Sequence, residues 1–213
     1  MKRIYLILVM SLPIALPLSA QMTENLLEAG NLSGWTMFVN DPEVDPTSVF
    51  SLNNSILRVE GQPYGFIRTN KIYENYVLSV AWRWPEAAAN SGIFVYVQDD
   101  LKLWPNAIEC QLAAGRAGDL VLLGGADMES YTTPEGASRP NIPMLLKRHD
   151  SSENPIGEWN TAVITSINGN LSVVVNGVLQ NVGVGSKHKS GHIALQSEGG
   201  PVEFCQVTLT LIP

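Results

Sequence analysis

The chain has 213 residues, of which 45% are hydrophobic and 15% are charged. This balance is typical of a well-packed globular protein and excludes a disordered chain. The formal net charge is −7, and it becomes about −9 (−7 − 2) when two basic residues are removed with the leader described next. A charge of this sign disfavours nucleic acids and anionic membranes as partners.

The N-terminus carries the pattern of an export signal. Lys2 and Arg3 precede an apolar run that contains two prolines and ends in small residues up to Ala20. This pattern predicts a secretory signal peptide over residues 1–20 and a mature chain, 21–213, that is periplasmic or secreted. An uncleaved anchor helix is the alternative, but two prolines in a short apolar run disfavour it. No later segment is apolar over the length that a bilayer requires.

Short alternating runs separated by turn residues fill the mature chain, which predicts an all-β protein. The predicted strands cover residues 35–39, 56–60, 65–69, 76–84, 91–98, 107–112, 119–123, 158–167, 171–175, 191–196 and 202–211. No helical period, internal repeat or interior linker interrupts them. A single domain of antiparallel strands most economically forms a two-sheet sandwich of the jelly-roll type.

Two Asn-Gly pairs mark tight turns in the stretch INGNLSVVVNGVLQN. Asn168-Gly169 and Asn176-Gly177 are each flanked by strand-like residues, and Asn-Gly favours the positive φ angles of a two-residue hairpin turn. The stretch should therefore connect three consecutive antiparallel strands. The segment 126–154 is rich in Pro, Ser, Thr and Gly, which predicts a long functional loop with room for one strand.

The two cysteines are expected to be free thiols. Alternation places Cys110 on the apolar face of its strand, whereas Cys205 lies on the face opposite to Val202 and Phe204. Although an exported protein can form disulfides, side chains on opposite faces are awkward to bridge.

One predicted strand carries a carboxylate and an amide on a single face. In NAIECQL, Ile108 and Cys110 alternate with Glu109 and Gln111, so the two polar groups point the same way from an otherwise apolar strand. Sandwich glycosidases often place paired carboxylates on one strand as Glu-x-Asp-x-x-Glu, so that both flank the glycosidic bond. Here only the first Glu is present, so a standard two-carboxylate glycosidase is disfavoured.

Three other predicted strands repeat this one-sided polarity, each with one apolar face for the core. The opposite faces carry Arg83, Phe94, Tyr96, Gln98, His192 and Gln196. Aromatic rings among hydrogen-bonding groups suit the apolar ring face and the hydroxyls of a sugar. Each of these side chains also has an inert interpretation as a solvated outer-face residue, and Asp99 and Asp100 fit either a metal site or a solvated turn.

Seven segments resemble one family, the 3-keto-disaccharide hydrolase domain, in the family's order. They are LLEAGNLSGWT, NSGIFVYVQ, WPNAIECQL, AGDLVLLGG, PIGEWNTAVI, VVVNGVLQN and GHIALQSEGGPVEF. The resemblance implies a concanavalin A-like (lectin/glucanase) jelly roll, export, and action on glycosides whose C3 hydroxyl has been oxidised to a ketone. The chain departs from the family where Ser197-Glu198 replaces a common Asp-His and Cys205-Gln206 replaces a common Arg-Asn. A histidine-dependent step at position 198 is therefore in question.

An oxidised sugar explains how one strong base can suffice. A ketone at C3 acidifies the C2 proton, so a carboxylate can remove it and expel the C1 substituent, after which water adds back. Such a site needs a base of adjusted pKa and a cation or donors for the enolate oxygen. The assignments are Glu109 as base, Gln111 and Gln196 as hydroxyl or enolate contacts, Arg83 or a divalent metal ion as charge stabiliser, His149 and Glu198 as alternative proton-transfer groups, and Tyr96 and Trp104 as sugar contacts.

A non-catalytic carbohydrate-binding module on the same sandwich is the rival interpretation, because this kind of fold hosts both lectins and enzymes. Strong binding of an unoxidised oligosaccharide without turnover would favour it. The aglycone, the anomeric linkage, hydrolysis against a separable lyase step, metal dependence and oligomeric state are all left open by the residues.

Overall fold

The computed structural model describes residues 22–27, 30–98 and 101–213. The predicted signal peptide, residues 1–20, and the pair Asp99 and Asp100 lie outside the described residues. In the described part of the chain no helix is long and apolar enough to cross a membrane.

The described residues form sixteen strands and one 3₁₀ turn, Pro46–Ser48. The strands are β1 (Thr23–Asn25), β2 (Trp35–Val39), β3 (Phe50–Asn53), β4 (Ile56–Val59), β5 (Gly65–Thr69), β6 (Tyr73–Glu74), β7 (Tyr76–Arg83), β8 (Gly92–Val97), β9 (Ala107–Gln111), β10 (Leu120–Leu123), β11 (Met144–Leu145), β12 (Asn160–Ile167), β13 (Asn170–Val175), β14 (Val178–Gly183), β15 (Ser190–Ser197) and β16 (Val202–Leu211).

These strands make two antiparallel sheets. The back sheet has the order β14–β13–β12–β7–β16–β4–β3, with β1 paired to β16. The front sheet has the order β11–β10–β9–β8–β15–β5–β2, with β6 paired to β15. Strands that are distant in sequence are neighbours in both sheets, as the predicted jelly-roll sandwich requires.

Apolar side chains that alternate along the strands fill the space between the sheets. Trp82 and Phe204 of the back sheet and Ile93, Cys110 and Leu195 of the front sheet are all at most 1% exposed. Burial of this continuous layer is the main stabilising contribution to the fold. The two cysteines are free, as their opposite faces predicted.

All eleven strands predicted from the sequence are present, with each end within two residues of its predicted place. The Asn-Gly turns are confirmed, because Asn168 and Asn176 have φ angles of 51° and 47° and join three consecutive antiparallel strands. Strand β11 lies in the long loop that had room for one. Strands β1, β3 and β6 were missed because runs of two to four residues carry too little alternation to be recognised.

A second apolar cluster lies on the outer face of the front sheet, here called the front face. Its buried members are Phe66, Phe94, Val97, Ala107, Val121, Leu123 and Ala194. Phe38 and Trp104 pack against this cluster and are only partly buried. Because cluster members alternate with core residues along the same strands, the front sheet is packed on both of its faces in this region.

Candidate active site on the front face

Glu109 lies on the front face, at the middle of β9. Ala107 on one side of it belongs to the front-face cluster, while Ile108 and Cys110 pack in the core between the sheets. Since side chains alternate along a strand, Glu109 and Gln111 share the front face with Ala107. The alternation predicted for this strand is therefore confirmed.

The side chain of Glu109 lies over a glycine of the neighbouring strand. Strands β8 and β9 pair with Phe94 opposite Glu109 and with Gly92 opposite Gln111. A Cβ atom at position 92 would overlap Oε1 of Glu109 and lie only 2.8 Å from its Cδ. The missing side chain of Gly92 thus provides the space that the carboxyl group occupies.

The carboxyl of Glu109 is buried without a hydrogen bond to Oε1. The residue is 3% exposed, and Oε1 has no partner within the part of the chain that the structure describes. Burial, and to a smaller extent the charge of Glu198, raises the pKa of Glu109 to about 8, although Arg116 lowers it. Buried titratable groups with shifted pKa values and unpaired atoms are concentrated at functional sites.

Glu198 follows β15 and is held there by Gln196. Gln196 Nε2 donates to Glu198 Oε2 at 2.8 Å, and Ser91 Oγ donates to the carbonyl oxygen of Gln196 at 2.8 Å. Burial raises the pKa of Glu198, while the bond from Gln196 lowers it. The structure therefore places a second carboxyl within electrostatic reach of Glu109, which the linear motif did not reveal.

Gln111 faces the same region, but its amide oxygen is used by the protein. Oε1 accepts from the backbone N–H groups of Leu112 at 2.9 Å and Ala113 at 2.8 Å. Nε2 makes no hydrogen bond to any residue for which the structure gives a position. The side chain therefore presents a donor to the front face.

Arg83 does not lie at this site, which corrects its assignment as the charge stabiliser. It belongs to β7 of the back sheet, where Nε donates to Glu203 Oε2 at 2.7 Å and the guanidinium lies 4.6 Å from the ring centroid of Trp159. Alternation shows which face of a strand a side chain occupies, but it does not show which sheet the strand joins. The polar faces of β7 and β9 point to opposite sides of the molecule.

Tyr96 is also corrected, because it points into the core rather than to the front face. It has a φ of 56°, and the pairing of β8 with β15 shifts register next to it. Its hydroxyl shares a 2.7 Å hydrogen bond with Ser166 Oγ of the back sheet. The irregular backbone turns Tyr96 inward and Val97 outward, which the simple alternation of VYV could not show.

Trp104 lies at the front face, whereas no described contact brings His149 to it. Trp104 packs against the front-face cluster and is partly exposed, so it can serve as a sugar platform. His149 is exposed, and the adjacent Arg148 N–H donates to the Gln180 carbonyl oxygen of the back sheet at 2.7 Å. No described contact brings His149 to Glu109, so its role in proton transfer has no structural support.

Arg68 is a front-face residue that the sequence interpretation passed over. It lies opposite Ala194 across β5 and β15, and Ala194 lies opposite Phe94 of β8. Phe94 in turn lies opposite Glu109, so one row of side chains runs from Arg68 to Glu109. The alternation of GFIRT, which puts Phe66 and Arg68 on one face, was the signal that could have revealed it.

Arg116 is a second cation beside the site. Its Nη2 donates to Asp119 Oδ2 at 2.8 Å and to Met144 Sδ at 3.4 Å. Met144 pairs with Val121, which pairs with Glu109, so Arg116 reaches over the edge of the front face. It occupies a turn between β9 and β10, where no periodic pattern could have indicated it.

A divalent metal ion, the other charge stabiliser considered, stays a prediction. No group of three or more His, Cys, Asp and Glu side chains suited to a metal occurs among the residues with assigned positions. The described donor set at the front face, two carboxyls and two amides, does not form such a cluster, so no chemical step is assigned to a metal here.

The fold resembles those of several carbohydrate-active proteins. A candidate glycosyl hydrolase of Parabacteroides distasonis is 19% identical with a TM-score of 0.65, over 90% of this chain and 94% of that chain. A carbohydrate binding module of Bacillus subtilis is 10% identical with a TM-score of 0.59, over 84% and 97%. A β-glucanase of Bacillus licheniformis is 12% identical with a TM-score of 0.52, over 91% and 98%. These likenesses show the fold alone.

Sequence comparison is more specific. No curated protein sequence gives a significant match, but residues 23–210 match the family described as the 3-keto-alpha-glucoside-1,2-lyase-like domain. The matched range begins in β1, ends in β16 and includes both sheets and every residue of the front-face site. The chain therefore belongs to the 3-keto-alpha-glucoside-1,2-lyase-like domain family.

Proposed function

We propose that this protein is an exported enzyme that cleaves 3-keto-glycosides, starting with removal of the C2 proton by Glu109. The observation that carries the proposal is the buried carboxyl of Glu109 on the front face, whose Oε1 has no partner among the described residues. Membership of the family supports the substrate class. The predicted signal peptide supports export.

The proposed reaction begins with proton transfer from C2 to the carboxylate of Glu109. The electron pair of the C2–H bond moves toward the C3 carbonyl and forms an enolate. Collapse of the enolate forms a C1=C2 double bond and breaks the C1–O bond, so that the aglycone oxygen leaves and is protonated by Glu109 or Glu198. Addition of water across C1=C2 then gives the free 3-keto sugar, and the sum is hydrolysis.

The environment of Glu109 suits a base for this step. A carboxylate of ordinary pKa is a weak base for a carbon acid, and a pKa raised to about 8 brings its proton affinity closer to that of the substrate. Two arginines lie near this carboxyl: Arg68 shares the row of Glu109, and Arg116 lowers the pKa of Glu109 although it is paired with Asp119. These two arginines replace Arg83 in the proposal.

A conventional glycosidase has one observation in its favour. Glu198 lies close enough to raise the pKa of Glu109, so the front face holds the second carboxyl that acid–base cleavage of an unoxidised glycoside requires. A non-catalytic sugar-binding module is the other alternative, because a buried carboxylate can also accept hydrogen bonds from the hydroxyls of a bound sugar.

A substrate panel tests the proposal. Each of several glucosides, in both anomeric forms, is offered as the parent compound and as its 3-keto derivative, with and without chelator, and aglycone release is followed. We expect release from 3-keto compounds only, and slower release when C2 carries deuterium, because removal of the C2 proton is proposed as the rate-limiting step. Cleavage of the parent glucosides would establish the conventional glycosidase instead. Tight binding without turnover of any compound would establish the binding module.

A further inference from the structure

The two glutamines of the front face have amide orientations that the protein itself fixes. Gln111 Oε1 accepts two backbone hydrogen bonds, from Leu112 and Ala113. Gln196 Nε2 donates to Glu198, and its buried Oε1 has no partner among the described residues. Two groups are therefore left for a ligand: an N–H donor on Gln111 and a carbonyl acceptor on Gln196.

The two glutamines stand on opposite sides of Gly92. Gln111 lies opposite Gly92 on β9, and Leu195 lies opposite Ile93 on β15, so Gln196 follows at the level of Gly92 on its other side. Two strand spacings separate the glutamine backbones, which is about 10 Å. Since Gly92 has no side chain, the floor of this slot is formed by the carboxyl of Glu109.

The slot has two walls, Gln111 on one side and Gln196 on the other. We propose that these walls orient the sugar, with the Gln111 N–H donating to the C3 ketone oxygen and the Gln196 carbonyl oxygen accepting from a sugar hydroxyl. The inference rests on the proposed function, and it assigns the enolate contact to one of the two amides. A ketone or enolate oxygen can only accept a hydrogen bond, so it pairs with the N–H of Gln111. A hydroxyl can donate, so it satisfies the buried oxygen of Gln196.

The same geometry makes Gln111 a residue that stabilises the transition state. Negative charge grows on the C3 oxygen as the C2 proton leaves, so a donor fixed in place before the reaction stabilises the transition state more than the ground state. The pairs formed with Leu112 and Ala113 prevent the amide from rotating to present its oxygen. The carboxyl of Glu109, on the floor between Gln111 and Gln196, then faces the ring beside C3, on the side from which the C2 proton is removed.

The test is Gln111→Glu, because a carboxylate can still accept from Leu112 and Ala113 but has no N–H to donate. We expect kcat on a 3-keto-glucoside to fall by about 10²-fold. The value is taken from the high-pH plateau, where Glu109 is ionised in both proteins. The comparison variant, Gln196→Met, keeps the donor wall and should raise KM more than it lowers kcat.

A spectroscopic reading on a non-cleavable 3-keto-1,5-anhydro sugar gives a second measurement. We expect its carbonyl stretch in the bound state to move to higher frequency in Gln111→Glu and to stay unchanged in Gln196→Met. If the wild type is active but Gln111→Glu keeps its plateau kcat, or leaves the carbonyl stretch unaltered, the proposed orientation of the sugar is wrong. The proposed function would still stand. A wild type that turns over no 3-keto-glycoside would overturn both.

Discussion

The outer faces of both sheets carry a glutamate on a central strand, but the two carboxyls differ in whether the fold pairs them with a cation. On the back sheet, Glu203 accepts from Arg83 at 2.7 Å and lies 3.7 Å from Arg58. On the front sheet, Oε1 of Glu109 is buried with no partner among the described residues, and its pKa is raised to about 8. The back-face carboxyl is therefore compensated by arginines of the fold, whereas the structure describes no such compensating group for Oε1 of the front-face carboxyl.

This difference distinguishes polar side chains that are paired within the fold from candidate site residues that are not. Alternation alone does not distinguish Arg83 from Glu109, because each lies between apolar neighbours on its strand. A paired, partly exposed ion contributes little to stability and has its charge already neutralised. A desolvated carboxyl without a partner costs free energy unless a ligand or a proton compensates it. The contrast predicts that substitutions on the two faces have very different effects on activity.

The largest effect in this comparison, apart from loss of Glu109 itself, is expected for Gly92→Ala. The added methyl group would overlap Glu109 Oε1, so the carboxyl must move off the floor of the slot. Misplacement of a catalytic group by about 1 Å can cost roughly 10²-fold in rate, and we expect a loss of kcat of that order. The pH at which activity reaches half its plateau should also change, because the carboxyl leaves its buried position.

The matched control for this substitution is Gly34→Ala. A Cβ at position 34 meets no atom within 4 Å, so this variant adds the same methyl group without displacing anything. Equal activity in Gly92→Ala and Gly34→Ala would show that the position of the Glu109 carboxyl is unimportant.

A smaller effect is expected for Glu198→Gln, which tests whether the charge of Glu198 raises the pKa of Glu109. For a base that must be ionised, kcat/KM of the free enzyme rises as pH increases through its pKa, which is about 8 for Glu109. The charge of Glu198 contributes to raising that pKa, so its removal should shift the rising limb to lower pH. Burial alone should keep the limb above the ordinary range of a carboxyl. A limb that stays in place would show that Glu198 does not interact with Glu109.

The smallest effect is expected for Arg83→Met on the back face. Loss of its pair with Glu203 should reduce the free energy of unfolding by about 0–1 kcal/mol, because the pair is partly exposed. The kinetic constants on a 3-keto-glucoside should equal those of the wild type. Chemical denaturation and steady-state kinetics on the same preparation check both statements. A large loss of kcat would restore Arg83 to the site and contradict the division between the faces.

The strands and their faces were predictable because alternation is a local property of the sequence. The bounds of β9 and the outward direction of Glu109 and Gln111 followed from NAIECQL alone. The turns of β12, β13 and β14 followed from the conformational preference of Asn-Gly. These features depend on residues within a few positions of each other, and they needed no knowledge of which strands pair.

The assembly of the site was less predictable because it depends on pairing between distant strands. Arg83 was misassigned because its strand joins the other sheet, and Tyr96 because an irregularity in β8 reverses its direction. Arg68 and the nearness of Glu198 to Glu109 depend on β15 lying between β5 and β8. Sequence spacing contains none of this information, so Glu109 and Glu198 were both named as candidates without any indication that they lie near each other.

The proposed role of Glu109 as the base is tested most directly by Glu109→Gln. Aglycone release from a 3-keto-glucoside is measured for the wild type, for this variant and for Glu203→Gln, the matched carboxyl-to-amide change on the back face. The account predicts that Glu109→Gln loses at least about 10²-fold in kcat/KM while it stays folded, and that Glu203→Gln keeps wild-type activity. Unchanged turnover in Glu109→Gln, with an active wild type, would contradict the account.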